Sequence, residues 1–123
     1  MAPRRYELTS VPGEDRYRTA LLDVRISEGQ RRMLLAHLRQ PVITAEELAA
    51  AAGYRGWRTA NLQYGRLGHR IADALAIDVA RHGRNEPLWT SSLAAGERNG
   101  FGRWLWTLYP QVVRAIEALG WHR

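Results

Sequence analysis

Apolar positions recur along much of this chain at the three- and four-residue spacing of a helix face, and change to a two-residue spacing toward its end. Ser27 and Gln30 have capping-box spacing ahead of Met33, Leu34, Leu35 and Leu38, which predicts a first helix over 27–39, interrupted at Pro41. Thr44 and Glu47 repeat that spacing before Leu48 and four consecutive alanines. They predict a short second helix that ends at Gly53, a residue suited to the left-handed position after a helix. Tyr54-Arg55-Gly56 then turns into the longest periodic segment, where Ala60, Tyr64, Leu67, Ile71 and Leu75 form one stripe and complete a helical core over 27–76. Gly65 and Gly68 lie inside it. Each weakens a helix by about 1 kcal/mol relative to Ala, so they mark either a close approach to another backbone or a break near Gly65.

Beyond Asp78 the pattern is extended. Leu88–Ala94 and Arg103–Tyr109 flank a Gly-rich stretch from Gly96 to Gly102 and predict a hairpin over 87–109. On its second strand, Trp104, Trp106 and Leu108 share one face, and Leu105, Thr107 and Tyr109 the other. Pro110 suits the first turn of a last helix over 110–120, with Val112, Val113, Ile116 and Leu119 as its apolar stripe and Trp121 packing back on it. Upstream, 6–11 and 17–26 flank Val11-Pro12-Gly13-Glu14, where Pro then Gly fits a type II turn. The reading is an N-terminal hairpin or arm over 1–26, although Ala20-Leu21-Leu22 fits a short helix equally well. With no repeat, low-complexity tract or dividing linker, the 123 residues read as a single α+β domain.

Composition sharpens this picture in two ways. Hydrophobic residues make up 46% of the chain, including five Trp and five Tyr, enough for a core without staples. There is no Cys, hence no disulfide framework and no thiolate metal site, and the basic start runs into Glu7, Thr9 and Pro12 rather than an apolar signal core. Together these favour a cytoplasmic protein, with no run of membrane-spanning length and no membrane partner expected. The net charge of +6 and pI near 10.7 make attraction to a polyanion the physical default. All eighteen basic residues are Arg, so charge carries information only where it clusters.

It clusters in one place. From Leu48 to Ala72 there are Arg55, Arg58, Arg66 and Arg70 and no acidic residue, with Asn61, Gln63 and His69 off the core stripe. Three helices, the second and third joined by a short Gly-bearing turn and followed by a hairpin, resemble a winged helix-turn-helix over 27–109, with Leu48, Ala49 and Gly53 its most specific residues. After the turn, Trp57 and Leu62 depart from regular spacing. The resemblance implies double-stranded DNA binding: the third helix in the major groove, Arg, Asn and Gln suited to base edges and phosphates, and Arg98, Asn99 and Arg103 on the wing. Arg4 and Arg5 read as either a minor-groove arm or a frayed basic terminus. The segment from Asn61 to Gly68 is also similar to small winged-helix modules attached to HNH-type restriction endonucleases, though no HNH core is visible. That similarity implies a DNA-reading module, sensitive to modified bases, in bacterial or phage defence.

Other readings of the same residues stand beside this one. An Arg-rich face is often only solvated. The basic face would also serve a protein-interaction domain, such as a phage inhibitor of a nucleic-acid-binding defence complex, or an accessory domain that positions a nuclease. Transcription regulation is a further setting. Tyr64, Trp104 and Trp106 are expected as core aromatics rather than base-stacking platforms, and Trp57 as a DNA wedge or a staple on the turn. His37, His69, His82 and His122 lack metal-ligand spacing, His69 and Asp73 form an i,i+4 pair, and His82-Gly83-Arg84-Asn85-Glu86 reads as a polar loop. With no nucleophile elbow, phosphate-binding Gly loop or paired carboxylates, no enzymatic role, metal or cofactor is expected.

Overall fold

The computed structural model describes residues 5–123. Among them are five α-helices and two small antiparallel sheets, a mixed α+β arrangement, in the order β1 (Arg5–Tyr6), α1 (Glu14–Asp23), α2 (Glu28–Arg39), β2 (Val42–Thr44), α3 (Ala45–Ala52), α4 (Trp57–Leu75), β3 (Arg81–His82), β4 (Glu86–Pro87), a 3₁₀ turn (Trp89–Ser92), β5 (Ala94–Arg98), β6 (Trp104–Leu108) and α5 (Pro110–Leu119). The larger sheet runs β1-β5-β6-β2, all antiparallel, and β3 pairs with β4. No described helix is long and apolar enough to cross a membrane.

The local rules account for α2, α3 and α4. Ser27 and Gln30 close one capping box and Thr44 and Glu47 another, each pairing side chain to backbone in both directions. Gly53 stops α3 at φ +77°, and Gly53 to Gly56 turn the chain into α4. The stripe Ala60, Tyr64, Leu67, Ile71 and Leu75 is buried along α4, against α1, α2 and α3. The helix is continuous through Gly65. Gly68 is the close approach: a Cβ there would lie 2.3 Å from the Trp89 carbonyl oxygen, so α4 and the 3₁₀ turn meet backbone to backbone.

Two expectations are corrected. No N-terminal hairpin forms between 6–11 and 17–26: Glu14–Asp23 is α1, and β1 pairs instead with β5, Tyr6 opposite Gly96. Pro12-Gly13 leads into a helix because Glu14 and Asp15 stand in its positive first turn and Tyr17, Ala20 and Leu21 bury one face at helical spacing. That face packs on α5 and α4. The second correction moves the first strand of the 87–109 hairpin from Leu88–Ala94 to Ala94–Arg98. Thr90, Ser91 and Ser92 form a buried 3₁₀ turn instead, held by hydrogen bonds to both serines: Ser92 Oγ donates to Gly68 O at 2.7 Å, Ala80 N–H to Ser91 Oγ at 2.9 Å, and the Tyr17 and Tyr109 hydroxyls to Ser92 O and Ser91 O. Short hydroxyl side chains that satisfy nearby backbone compete well against a strand ladder. The predicted polar loop 82–86 is the β3–β4 hairpin, turned by Gly83 and Asn85 at positive φ.

Candidate nucleic-acid interface

A cleft of about 670 Å³ opens between α4 on one side and β5–β6 on the other, with the 3₁₀ turn at its floor. Four of the chain's five tryptophans line it: Trp57, Trp89, Trp104 and Trp106. Backbone contact at Gly68 lays Trp89 alongside α4, where its indole stacks on the His69 ring at 3.6 Å and 9°. Across the cleft Gly96 faces Trp106 in the sheet, and a Cβ at Gly96 would fall 2.7 Å from ring atoms of both Trp104 and Trp106. The missing side chain is what lets the two indoles lie against β5, edge to face at 5.4 Å.

Behind this wall His37 ties three elements together. Its ring is fully buried and reaches Tyr64 Oη at 2.8 Å through Nδ1 and the Trp106 carbonyl at 3.0 Å through Nε2. A carbonyl only accepts, so Nε2 carries a proton; in the neutral ring that burial favours, Nδ1 then accepts from the Tyr64 hydroxyl. Burial lowers the His37 pKa to about 4, against the opposing pull of the Trp106 and Pro41 carbonyls. The strand that bears Trp104 and Trp106 is thereby pinned to α2 and α4. Burial likewise holds the Tyr64 hydroxyl far above its ordinary range.

Of the residues singled out in the sequence, Trp57, Asn61, Arg66 and His69 on α4 and Arg98 and Arg103 on the hairpin line this one cleft. Arg55 and Arg58 are exposed at the N-terminal end of α4, Arg58 with its guanidinium 5.3 Å from the Trp57 ring centre. Among the described residues no carboxylate is ion-paired with Arg55, Arg58, Arg66, Arg98 or Arg103. Asn61 Oδ1 accepts from the Trp106 indole N–H at 3.3 Å, which fixes the amide and leaves its NH₂ as a donor. Glu46 is the one carboxylate lining the cleft, and Glu47 beside it is committed to Gln40 and Thr44, which hold its carboxyl below the ordinary range.

Others point elsewhere. Gln63 sits on the α2 side of α4, with Gln30 Nε2 bonded to its carbonyl at 3.1 Å and to its side-chain oxygen at 3.4 Å. Arg70 donates to the Arg25 carbonyl and to Gln30 Oε1, so it braces the entry to α2 rather than facing the cleft. Asn99 Oδ1 accepts from the Phe101 and Arg103 N–H groups inside the hairpin tip. Arg5 is held in β1 by Glu7 and Glu97, not in a free arm, and Arg4 lies outside the described residues. His69 and Asp73 approach to 3.7 Å.

Of the aromatic lining, Trp57 is legible in the sequence as a site residue, while Trp104 and Trp106 read as core and Trp89 gives no signal. Trp106 is buried as a core residue would be, yet it also walls the cleft, and Trp89 and Leu62 were not singled out as site residues. A signal was present: Trp57 and Leu62 broke the apolar stripe, and they are 46% and 53% exposed on the cleft side of α4. Among the described residues no cluster of His, Asp and Glu is placed to hold a metal ion. Searches of protein-family models, curated proteins and solved structures found no match to this chain.

Proposed function

We propose that this chain is a winged helix-turn-helix module that binds double-stranded DNA, with α4 in the major groove and the β5–β6 hairpin over the flanking backbone. The observation that carries the reading is the placement of cations: Arg66 on one wall of the cleft, Arg98 and Arg103 on the other, and Arg55 and Arg58 exposed at the N-terminal end of α4, none ion-paired among the described residues. Connectivity supports it. The α3–α4 pair turns at Gly53 over the buried small residue Ala49, and β2, from before the pair, completes the sheet of the hairpin after it by joining β6.

The face of α4 that would meet a groove carries Arg58, Leu62, Arg66 and His69, which span about 16 Å at 1.5 Å per residue, or about five base pairs. The N-terminus of α4 is also unlike those of α2 and α3. Gly56 provides no side-chain cap and the first turn has no acid, so its free N–H groups and dipole favour an incoming phosphate. Between the arginines the cleft is apolar and aromatic. That lining suits a methyl group projecting into the major groove, whether thymine's or that of a modified base, with the Asn61 amide as a donor beside it.

The test is fluorescence anisotropy with a mixed-sequence duplex at several salt concentrations. Five phosphate-contacting arginines would give a log–log salt slope of about −4.5, and Arg66→Ala should reduce its magnitude by about 0.9. Absence of binding at low salt would overturn the proposal. Duplexes carrying base methylation then probe the aromatic lining: a preference that disappears in Trp104→Ala supports methyl recognition, and equal affinity for all duplexes refutes it.

A further inference from the structure

The chain has a single Phe, and it stands where nothing in the fold uses it. Phe101 is 92% exposed at the tip of the β5–β6 hairpin. The tip holding it is closed by its own hydrogen bonds: Asn99 Oδ1 accepts from Phe101 N–H at 2.9 Å and Arg103 N–H at 3.0 Å, Asn99 N–H donates to Arg103 O, and Arg98 bonds Gly102 O at 3.0 Å. Gly102, at φ +77°, completes the turn. The ring is therefore presented on a built mount, with Arg98 and Arg103 at its base and, among the described residues, no carboxylate ion-paired with either.

An aromatic ring at the end of a narrow two-stranded ribbon, flanked by two cations, matches the chemistry of a base-step wedge. Apolar side chains driven between stacked bases from the minor groove unstack one step, while cations on either side hold the phosphates. We infer that Phe101 is such a wedge, inserted into duplex DNA when α4 occupies the neighbouring major groove. The inference rests on the DNA-binding reading above and adds a consequence that reading lacks: the bound duplex is kinked. It also adds a sequence preference made without a base-edge hydrogen bond, because pyrimidine–purine steps such as TA unstack more easily than A-tract steps.

The experiment is energy transfer between dyes at the two ends of a short duplex, with and without protein, for the wild type, Phe101→Ala and Phe101→Leu. The substituted position is fully exposed, so each variant keeps the fold, and unchanged circular dichroism checks this. Wild-type binding should raise transfer as a kink within about 20–90° brings the ends together. Phe101→Ala should still bind with the wild-type salt slope, since no cation is lost, but without the rise in transfer and with its TA-over-A-tract preference gone; Phe101→Leu should retain part of both. A wild type that binds with steep salt dependence and leaves transfer unchanged, or a Phe101→Ala that bends DNA as the wild type does, overturns the wedge and leaves DNA binding standing. Failure of the wild type to bind any duplex overturns both, and concentration-dependent dimerisation abolished by Phe101→Ala assigns the ring to a second copy of the chain instead.

Discussion

Mild acid is expected to loosen this protein through His37. The ring is buried and neutral in the fold, with its pKa lowered to about 4 from an ordinary 6.5, because an imidazolium there would lose its hydration. Protonation at Nδ1 would also take away the acceptor of the Tyr64 hydroxyl proton, for which no other partner stands among the described residues. Between pH 6.5 and 4 the unfolded chain binds a proton that the folded chain does not, so stability falls as pH falls across that window and is fully present above it. With these two pKa values the loss is about 2 kcal/mol from pH 7 to pH 5 and about 3 kcal/mol below pH 4. Urea unfolding followed by tryptophan fluorescence at a series of pH values measures it. His37→Gln, which keeps a donor for the Trp106 carbonyl without a titrating group, should be less stable at pH 7 and should show a flatter profile between pH 7 and 5. The difference between the two slopes belongs to His37. Equal slopes in the wild type and the variant would refute the claim that this ring is held neutral by burial.

Other expectations follow from individual contacts. Gly68→Ala places a Cβ against the Trp89 carbonyl and should cost about 1–3 kcal/mol in chemical denaturation despite the better helix propensity of Ala; a neutral or stabilising result would mean that α4 and the 3₁₀ turn are not in backbone contact. Gly96→Ala should displace the Trp104 and Trp106 indoles, changing tryptophan emission and any preference for methylated duplexes while leaving the salt slope of DNA binding unchanged. Arg70→Ala should lower stability and leave that slope intact, the reverse of Arg66→Ala, because Arg70 is bonded to Arg25 and Gln30; a reduced slope in Arg70→Ala would place it on phosphate after all. At the alkaline end, burial holds the Tyr109 hydroxyl up to about 12, so stability present below pH 10 should be lost as pH rises from 10 to 12, with the part of the phenolate absorbance that Tyr109→Phe removes appearing together with unfolding.

Sequence alone determined the parts whose causes are local. Capping boxes at Ser27 and Thr44, Gly53 in a left-handed turn, and the stripe from Ala60 to Leu75 each act within a few residues, so α2, α3 and α4 were legible from spacing. The same was true of the cluster of arginines on and before α4. What only the tertiary structure decided was which side of each element faces what. Gln63 and Arg70 lie one helical step away from Arg66, and whether they meet a groove or brace α2 depends on where Gln30 and Arg25 are packed. Helix or hairpin at Glu14–Asp23 turned on whether α4 and α5 offered an apolar surface to Tyr17, Ala20 and Leu21. The aromatic cleft depends on contacts made across long sequence separations: Gly68 against Trp89, Gly96 beneath Trp104 and Trp106, and His37 between Tyr64 and Trp106. Each joins residues from different elements, and no periodicity within one segment encodes a meeting between two, because side-chain spacing fixes only a direction from its own backbone while packing fixes the partner.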